Sequence, residues 1–270
     1  MSDYQAFIVQ VHEQVAHVQI NRPEKLNAMN AAFWDEIRTI FQWIDEHDEV
    51  RAVVISGAGK HFSSGIDLAL LGAVASELGP DAGRNARVLR RKIEQMQASF
   101  TAVAQCRKPV LAAVQGYCLG AGVDLIAACD MRYAAVDAQF AIREIDMGMA
   151  ADVGTLQRLP RIIGDGLLRE LAYTGRSLHA PEAAQIGLVN RVYDDQAQML
   201  DGVLALARQI AQKSPIAIEG TKRMIDYMRD HRVDDGLEHV AIWNASMLQS
   251  ADLKLAMMAS MSKQKPVFDD

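Results

Sequence analysis

The sequence predicts an α/β fold in which buried strands alternate with amphipathic helices. Two short apolar runs, at 52–56 and 109–114, are typical of strands that are covered on both faces. Apolar residues recur with helical spacing at 30–47, before the first run, and at 84–106, between the two runs. Strands that alternate with helices along the chain indicate an α/β core.

The first predicted elements are two short strands and a helix. The runs 7–11 and 15–20 are β-type and are separated by three polar residues, a pattern typical of a hairpin. After a loop at 21–25, Asn30 is placed to cap a helix that runs to about His47. The apolar residues of this helix lie on one face: Phe33, Ile37, Ile40, Phe41 and Ile44.

The middle of the chain repeats one order of elements, in which a strand leads into a loop and then a helix. A Ser/Gly loop at 61–67 follows the first buried strand, and a Gly-rich turn that opens an apolar helix at 116–129 follows the second. We expect a mobile loop at 78–83 and short strands at 131–135 and 139–142.

The last third of the chain, from Leu156, is predicted to be mainly helical, with helix start signals at 177–181 and 214–215. Its end carries more apolar surface than one terminal helix needs: Met247, Leu248, Leu253, Leu255, Met257 and Met258. A helix folded onto its own domain and a subunit interface both explain this excess. No linker or internal repeat separates the chain into parts.

Composition excludes several classes of protein. Half of the 270 residues are hydrophobic, and the net charge is −6 without a basic stripe, which argues against nucleic acid as the main partner. Cys106, Cys118 and Cys129 fit no zinc motif and are expected to be reduced core thiols. Residues 1–4 carry no targeting signal and no apolar run reaches membrane-spanning length, so we expect a cytoplasmic protein.

Three acidic residues stand in apolar or glycine-rich surroundings: Asp124, Glu144 and Asp152. A carboxylate there costs stability unless it is paired, hydrogen-bonded or protonated, and such groups are candidates for proton transfer. Each also has a simpler explanation. Asp124 could compensate a helix dipole, Glu144 could be a surface charge, and Asp152 could cap the helix after Val153.

Two loops could supply backbone N–H groups to one carbonyl oxygen, forming an oxyanion hole. Each loop, at 62–67 and 115–122, follows a buried strand, and the second opens a helix. An ordinary turn with Asp67 as helix N-cap explains the first loop equally well, and close helix packing explains the second. Gly120-Ala121-Gly122 lacks the third glycine of a dinucleotide fingerprint.

Taken together, these segments resemble the crotonase (enoyl-CoA hydratase/isomerase) superfamily over nearly the whole chain. The resemblance is carried by the stretches 21–28 (NRPEKLNA), 62–67 (FSSGID), 109–130, Glu144, 155–160 (TLQRLP) and 183–189 (AAQIGLV). Within the superfamily, the chain is similar to the 3,5–2,4-dienoyl-CoA isomerases of unsaturated fatty-acid oxidation. That similarity is carried by 64–68 (SGIDL), 122–126 (GVDLI), 150–160 (AADVGTLQRLP) and 241–249 (AIWNASMLQ).

Ordinary hydratases carry Glu where Asp124 stands and Gly where Asp152 stands, and this chain departs from both. The resemblance implies that Asp124, Glu144 and Asp152 are catalytic and that the backbone N–H groups of Ser64 and Ala121 hold the thioester oxygen. It also implies a coenzyme A and substrate site lined by Lys25, Ala28, Ser64, Gly65, Ile66, Asp67, Leu68 and Ala121.

The resemblance further implies a crotonase-like spiral of ββα turns with a helical C-terminal trimerisation region. We expect residues 1–200 to form the spiral core with the coenzyme A and acyl site. Residues 201–270 are expected to form the oligomerisation region of a homotrimer or of a hexamer made from two trimers. Neither a metal nor a cofactor is expected, because coenzyme A is part of the substrate and the reaction has no net redox change.

The resulting hypothesis is isomerisation of a 3,5-dienoyl thioester to the 2,4-dienoyl thioester. We assign Glu144 as the base at C2 and Asp152 as the acid at C6, and the two roles could be exchanged. Asp152 is expected to be protonated at neutral pH, with Asp124 orienting the other two. The alternatives are an enoyl-CoA hydratase, another crotonase reaction, and a non-catalytic coenzyme A-binding or RNA-binding scaffold.

Overall fold

The computed structural model describes residues 4–269. The prediction that residues 1–4 carry no targeting signal therefore falls mostly outside the described residues. The strands form two sheets. The larger sheet has the order β1-β2-β3-β4-β6-β9 and the smaller one β5-β7-β8. The strands are β1 (Phe7–His12), β2 (Val15–Ile20), β3 (Ala52–Gly57), β4 (Val110–Val114), β5 (Tyr117–Leu119), β6 (Met131–Ala135), β7 (Gln139–Ala141), β8 (Leu178–His179) and β9 (Arg191–Tyr193).

Helices connect these strands and fill the last part of the chain. They are α1 (Ala31–Glu46), α2 (Leu68–Ser76), α3 (Ala82–Gln105), α4 (Ala121–Ala128), α5 (Thr155–Arg158), α6 (Asp165–Thr174), α7 (Ala180–Gln185), α8 (Gln196–Ala211), α9 (Pro215–Tyr227), α10 (Val233–Met247) and α11 (Ala251–Met261). Short 3₁₀ helices occur at Pro23–Lys25, Glu144–Met147 and Leu159–Arg161.

The central strands of the larger sheet, β3 and β4, are buried on both faces. The first two strands of the sheet pair as the predicted antiparallel hairpin, and the others follow in parallel. On β3, Val53 and Ile55 face a core shared with α1, α3 and α4, whereas Ala52 and Val54 face α8. Because successive side chains of a strand point to opposite faces, a strand covered on both sides is apolar throughout, as predicted.

Several predicted elements are confirmed within one or two residues. Asn30 caps α1 by accepting a hydrogen bond from the backbone N–H of Phe33 at 3.0 Å, and the five predicted core residues of α1 are buried. The sequence did not predict β5, β8 and β9. Strands of two or three residues are too short to show an alternating pattern.

The predicted boundary at residue 200 does not fit the structure, because it falls inside α8. Val203, Ala207 and Ala211 pack from α8 onto the larger sheet, so this helix belongs to the core. The helices after it, α9 to α11, have most of their surface exposed, and only Gly220 among their residues is fully buried. Among residues 4–269, no helix is both long and apolar enough to span a membrane.

Candidate active site

One cavity of about 940 Å³ collects all of the residues that the sequence singled out for binding and catalysis. Its size is within the range of pockets that hold small-molecule ligands. The predicted residues that line it are Lys25, Ala28, Ser64, Gly65, Ile66, Asp67, Leu68, Ala121, Asp124, Glu144 and Asp152. They come from segments far apart in the sequence, so the fold alone brings them together.

The loop before α2 is held against β5 by a buried serine. The backbone of Ser63 donates to Tyr117 O at 2.9 Å and accepts from the N–H of Leu119 at 3.0 Å. Its hydroxyl donates to Asn27 O at 2.8 Å and accepts from the N–H of Gly65 at 3.1 Å. The loop is therefore fixed from two sides, as a preorganised site requires.

The predicted oxyanion donor at Ser64 does not fit this geometry. Its N–H already donates to Leu26 O at 2.9 Å. In contrast, the N–H groups of Ile66 and Ala121 donate to no acceptor among the described residues. A β-carbon built on Gly65 would lie 3.4 Å from the Ala121 nitrogen, so the two loops are in close contact. Ile66, two residues further along, replaces Ser64 as the candidate donor.

The second candidate donor, Ala121, has no need of a glycine conformation. Gly120 takes the left-handed backbone conformation, with φ of 50°, and Ala121 is the first residue of α4. A helix N-terminus leaves its first N–H groups without intrahelical partners and favours negative charge nearby. The alanine at this position is thus compatible with a backbone donor, as the sequence analysis anticipated.

Asp124 lies in the first turn of α4 and is 1% exposed. Its Oδ1 accepts a hydrogen bond from the backbone N–H of Thr155 at 2.5 Å, while its Oδ2 is buried and has no partner among the described residues. Burial raises the pKa of Asp124 to about 6, and the nearby charge of Asp152 adds to this rise. Thr155 and the positive charge of Arg158 oppose it.

Glu144 begins the 3₁₀ helix after β7. The simpler explanation, that Glu144 is a surface charge, does not fit its position. Its Oε2 is buried without a hydrogen-bond partner among the described residues. Burial, followed by the negative charge of Asp124, raises the pKa of Glu144 to about 7. A carboxyl group with a pKa near neutrality can both accept and release a proton under physiological conditions.

Asp152 lies in the turn before α5, between the buried residues Ala151 and Val153. Asp152 itself is exposed at the edge of the cavity, contrary to what its apolar neighbours suggested. Partial burial of its carboxyl raises its pKa, and its own backbone N–H opposes the rise. The rise has the direction that protonation requires, and the expected protonation of Asp152 at neutral pH stays a prediction.

The apolar part of the cavity lies between the first three helices, and the sequence analysis did not name the α1 and α3 residues that line it. Trp34 packs in the core and also lines the cavity. The remaining apolar lining residues of these helices are Leu70, Leu71, Val74, Leu89, Ile93 and Met96. The helical spacing of Leu89, Ile93 and Met96 was a usable signal, because it leaves one face of α3 apolar.

Asn27, which contacts the backbone of the loop 61–67, and Asp67, which lies at the end of that loop, have mainly structural partners. Asn27 is fully buried, and its side chain donates to Ala58 O at 2.9 Å and His61 O at 2.7 Å. Asp67 caps α2 by accepting from the N–H of Ala69, which lowers the pKa of Asp67. It also pairs with Arg22 at 3.1 Å. The capping explanation of Asp67 is therefore confirmed, although the residue lines the cavity too.

Comparison with characterised proteins shows close relatives of one kind. The chain is 50% identical to the mitochondrial Delta(3,5)-Delta(2,4)-dienoyl-CoA isomerase of Mus musculus, over 98% of this chain and 82% of that protein. It is 47% identical to the peroxisomal Delta(3,5)-Delta(2,4)-dienoyl-CoA isomerase of Arabidopsis thaliana, over 94% of this chain and 92% of that protein. The compartments in these names contradict the predicted cytoplasmic location. Reduced thiols indicate a reducing environment and do not identify the compartment.

The fold of the chain is also similar to that of solved enoyl-CoA hydratases. An enoyl-CoA hydratase from Bacillus anthracis superposes with a TM-score of 0.89 at 29% identity, covering 98% of this chain and 99% of the hydratase chain. The resemblance to the crotonase fold is thereby confirmed. The family model described as enoyl-CoA hydratase/isomerase matches residues 10–270. The chain therefore belongs to the enoyl-CoA hydratase/isomerase family.

Proposed function

We propose that this protein is a dienoyl-CoA isomerase that converts a 3,5-dienoyl-CoA into the 2,4-dienoyl-CoA, as in the oxidation of unsaturated fatty acids. The observation that carries the proposal is the set of three carboxyl groups, Asp124, Glu144 and Asp152, on one cavity that also presents free backbone N–H groups. The names of the relatives at about half identity support the same reaction. They also argue against a non-catalytic scaffold.

The reaction moves one proton and shifts two double bonds. A base takes a proton from C2, and the electron pair of that C–H bond enters the conjugated system. The resulting dienolate carries its negative charge largely on the thioester oxygen. A proton then adds at C6, which leaves double bonds at C2 and C4. No net oxidation occurs, so the substrate supplies all the electrons that the reaction needs.

Glu144 is the proposed base at C2. A β-carbon built on Gly120 would lie 3.2 Å from Oε1 of Glu144, so this carboxyl group lies beside the residue that precedes the Ala121 N–H. A thioester whose oxygen binds that N–H has its C2 next to the same point. This closeness supports Glu144 at C2 over the exchanged assignment, and a pKa of about 7 suits a base at neutral pH.

The N–H groups of Ile66 and Ala121 are the proposed donors to the dienolate oxygen. Ile66 lies on a loop and Ala121 in the first turn of α4, and neither N–H has another acceptor among the described residues. Donors that are oriented before the reaction need no reorganisation when charge develops, and losing one such donor typically costs about 2.7–4 kcal/mol of barrier. Ser64 remains a proposed lining residue of the substrate site rather than a donor.

Asp152 is the proposed acid at C6. It lies on a different segment from Glu144, as two proton transfers at separated carbons require. Its carboxyl group must be protonated when the dienolate forms. A bound acyl chain displaces water from the cavity edge, and this loss of solvent raises the pKa of a carboxyl group further. Asp124 accepts a hydrogen bond from the Thr155 N–H, and its charge interacts with the charges of Glu144 and Asp152. It is proposed to keep one proton shared among the three acids.

The coenzyme A part of the substrate is proposed to bind along the edge formed by Lys25, Ala28 and the loop 64–68, which line the cavity. The acyl chain is proposed to enter the apolar part between α1, α2 and α3. Apart from the substrate, we expect neither a metal nor a cofactor to be needed, because proton transfer between carboxyl groups and carbon is sufficient for the reaction.

The test is direct. Purified protein is mixed with a 3,5-dienoyl-CoA, and ultraviolet absorbance is followed for the conjugated 2,4-dienoyl thioester. We expect a rise with the wild type, no rise with Asp152→Asn, and nearly equal thioester affinity for both proteins. Wild-type turnover by Asp152→Asn contradicts the role of Asp152. Water addition to a crotonyl thioester without any dienoyl isomerisation identifies a hydratase instead.

We also propose that the protein assembles as a trimer or as a pair of trimers. The support is the exposed apolar surface on the C-terminal helices, where Leu253, Met257 and Met258 are 39%, 58% and 59% exposed. On α10, Leu237 and Ile242 are each 61% exposed. Many large apolar side chains exposed on neighbouring stretches of the chain are typical of protein–protein interfaces.

A further inference from the structure

Arg158 lies just outside the cavity and connects the catalytic segment to α3. Its Nη1 donates to Val153 O at 3.1 Å, and its Nη2 lies 3.5 Å from the hydroxyl of Thr101 on α3. The side chain is half-buried. Among residues 4–269, no carboxylate oxygen lies within ion-pair distance of it, although the charge of Asp124 is close enough to interact with the guanidinium group.

The backbone of the catalytic segment is shaped to receive this guanidinium group. Gly154 has φ of 136°, a conformation that side chains strongly disfavour. A β-carbon built on Gly154 would lie 1.7 Å from Nη1 of Arg158. Any larger residue at position 154 would therefore displace the guanidinium. Gly154 O also accepts from the N–H of Arg158 at 2.9 Å.

Two catalytic groups depend on where this segment lies. Asp152 is part of it, and its backbone oxygen accepts from the side chain of Gln97 on α3 at 2.6 Å. Thr155 ends it, and the Thr155 N–H is the hydrogen-bond donor to Asp124. Between these two points, the contact from Arg158 to Val153 O is the side-chain contact that holds the segment.

We propose that Arg158 is a positioning residue for the isomerase reaction, which holds residues 152–155 so that Asp152 faces the substrate and Thr155 meets Asp124. This proposal rests on the proposed function. Arg158 does not line the cavity and does not touch the substrate. It acts through the segment and through its charge, and these two effects can be separated by substitution.

The charge effect concerns Asp124. The titratable and charged groups that face this carboxyl are Glu144, Asp152, Arg158 and the thiol of Cys118. Of these, only Arg158 is a cation, and its charge lowers the pKa of Asp124. Without it, Asp124 binds a proton at higher pH, and the proton shared by the three acids is redistributed.

The experiment compares three variants with the wild type. Arg158→Met removes the charge and the contact, whereas Arg158→Lys keeps the charge but has no planar group to span Val153 and Thr101. Arg161→Met is the matched control, because Arg161 is an exposed arginine one helical turn further on. Circular dichroism and thermal unfolding identify any variant that fails to fold.

We expect Arg158→Met to lower kcat about 100-fold with little change in KM, since a small misplacement of a catalytic group has an effect of this size. The acid limb of its pH profile should move to higher pH. Arg158→Lys should lower kcat while keeping the wild-type acid limb, and Arg161→Met should match the wild type. A kcat of Arg158→Met equal to that of an active wild type overturns the proposal.

A second readout needs no substrate. The carboxyl carbons of labelled aspartate are titrated by NMR in each protein. The Asp124 resonance should titrate at higher pH in Arg158→Met and at the wild-type pH in Arg158→Lys and Arg161→Met. If the wild type has no isomerase activity, the proposed function fails, and this titration still tests the effect of Arg158. Identical titration in all four proteins overturns that effect.

Discussion

Gly65 lies in the first of the two segments that carry the proposed oxyanion donors, and it contacts the second. Gly65→Ala should lower both the free energy of unfolding and the turnover rate. The φ of Gly65 is 89°, and a β-carbon built there would lie 2.7 Å from Leu119 O, where ordinary contact begins at 3.4 Å. The neighbouring atom belongs to the backbone, so the loop must move by about 0.7 Å to restore ordinary contact. In addition, placing an L-residue in a left-handed conformation costs about 1–2 kcal/mol. We expect the free energy of unfolding to fall by about that amount or more.

The effect on catalysis should be larger than the effect on stability. Displacing the loop moves the Ile66 N–H away from the Ala121 N–H, so the two can no longer meet one oxygen. Loss of one oxyanion donor typically lowers kcat by about 10²–10³-fold. The assay is the rate of conjugated dienoyl-CoA formation at saturating substrate, together with urea unfolding of the same preparation.

Gly72→Ala is the matched control. Gly72 lies inside α2, and a β-carbon built there has no atom within 4 Å. Alanine is the better helix former, so this variant should be more stable by about 0.5–1 kcal/mol and should keep the wild-type kcat. A Gly65→Ala protein with wild-type kcat would refute the assignment of the two N–H groups.

Three further predictions concern stability and assembly. Burial raises the pKa of Glu144 from 4.5 to about 7, so the stability it contributes is complete below pH 4.5 and is lost as pH rises through 7. In denaturant titrations at pH 8, the free energy of unfolding of Glu144→Gln should therefore be roughly 1–3 kcal/mol higher than that of the wild type. At pH 4 the two proteins should not differ. Asn27→Ala should lower the free energy of urea unfolding by about 2–4 kcal/mol, because it leaves buried carbonyls unpaired; a loss below about 1 kcal/mol would contradict this. Met258→Asp should reduce the sedimentation coefficient towards that of a single chain, and an unchanged assembly would place the subunit contact elsewhere.

The candidate site could be predicted from the sequence as a set of residues, but not as a set of contacts. Asp124, Glu144 and Asp152 stood out because charged groups in apolar or glycine-rich segments are unusual, and all three line the cavity. Which N–H of the first loop is free depends on Leu26 O, 38 positions before Ser64. The local pattern does not contain that contact, so the sequence analysis named Ser64 as the donor, whereas the structure favours Ile66 as the candidate.

The same limit applies to the helices. The cap at Asn30 and the apolar face of α1 are local properties, so both were predicted correctly. The role of Trp34 as a cavity wall depends on α3, which meets α1 only in the folded chain. The exposure of Asp152 depends on tertiary packing as well. Its apolar neighbours are buried, yet the side chain between them points to the cavity edge.

The three acids share a cavity, and two of them, Asp124 and Glu144, have different partners that act on their affinities for protons. Asp124 accepts from a backbone N–H and lies near the cation Arg158, so its ionised form is stabilised despite deep burial. Glu144 has a buried Oε2 with no donor among residues 4–269 and lies beside the Asp124 charge, so its neutral form is favoured. Environments that move neighbouring carboxyl pKa values apart are how one site performs acid and base chemistry at one pH. Because Thr155 and Arg158 both lower the pKa of Asp124, the segment 152–158 influences how the proton is distributed as well as where Asp152 lies.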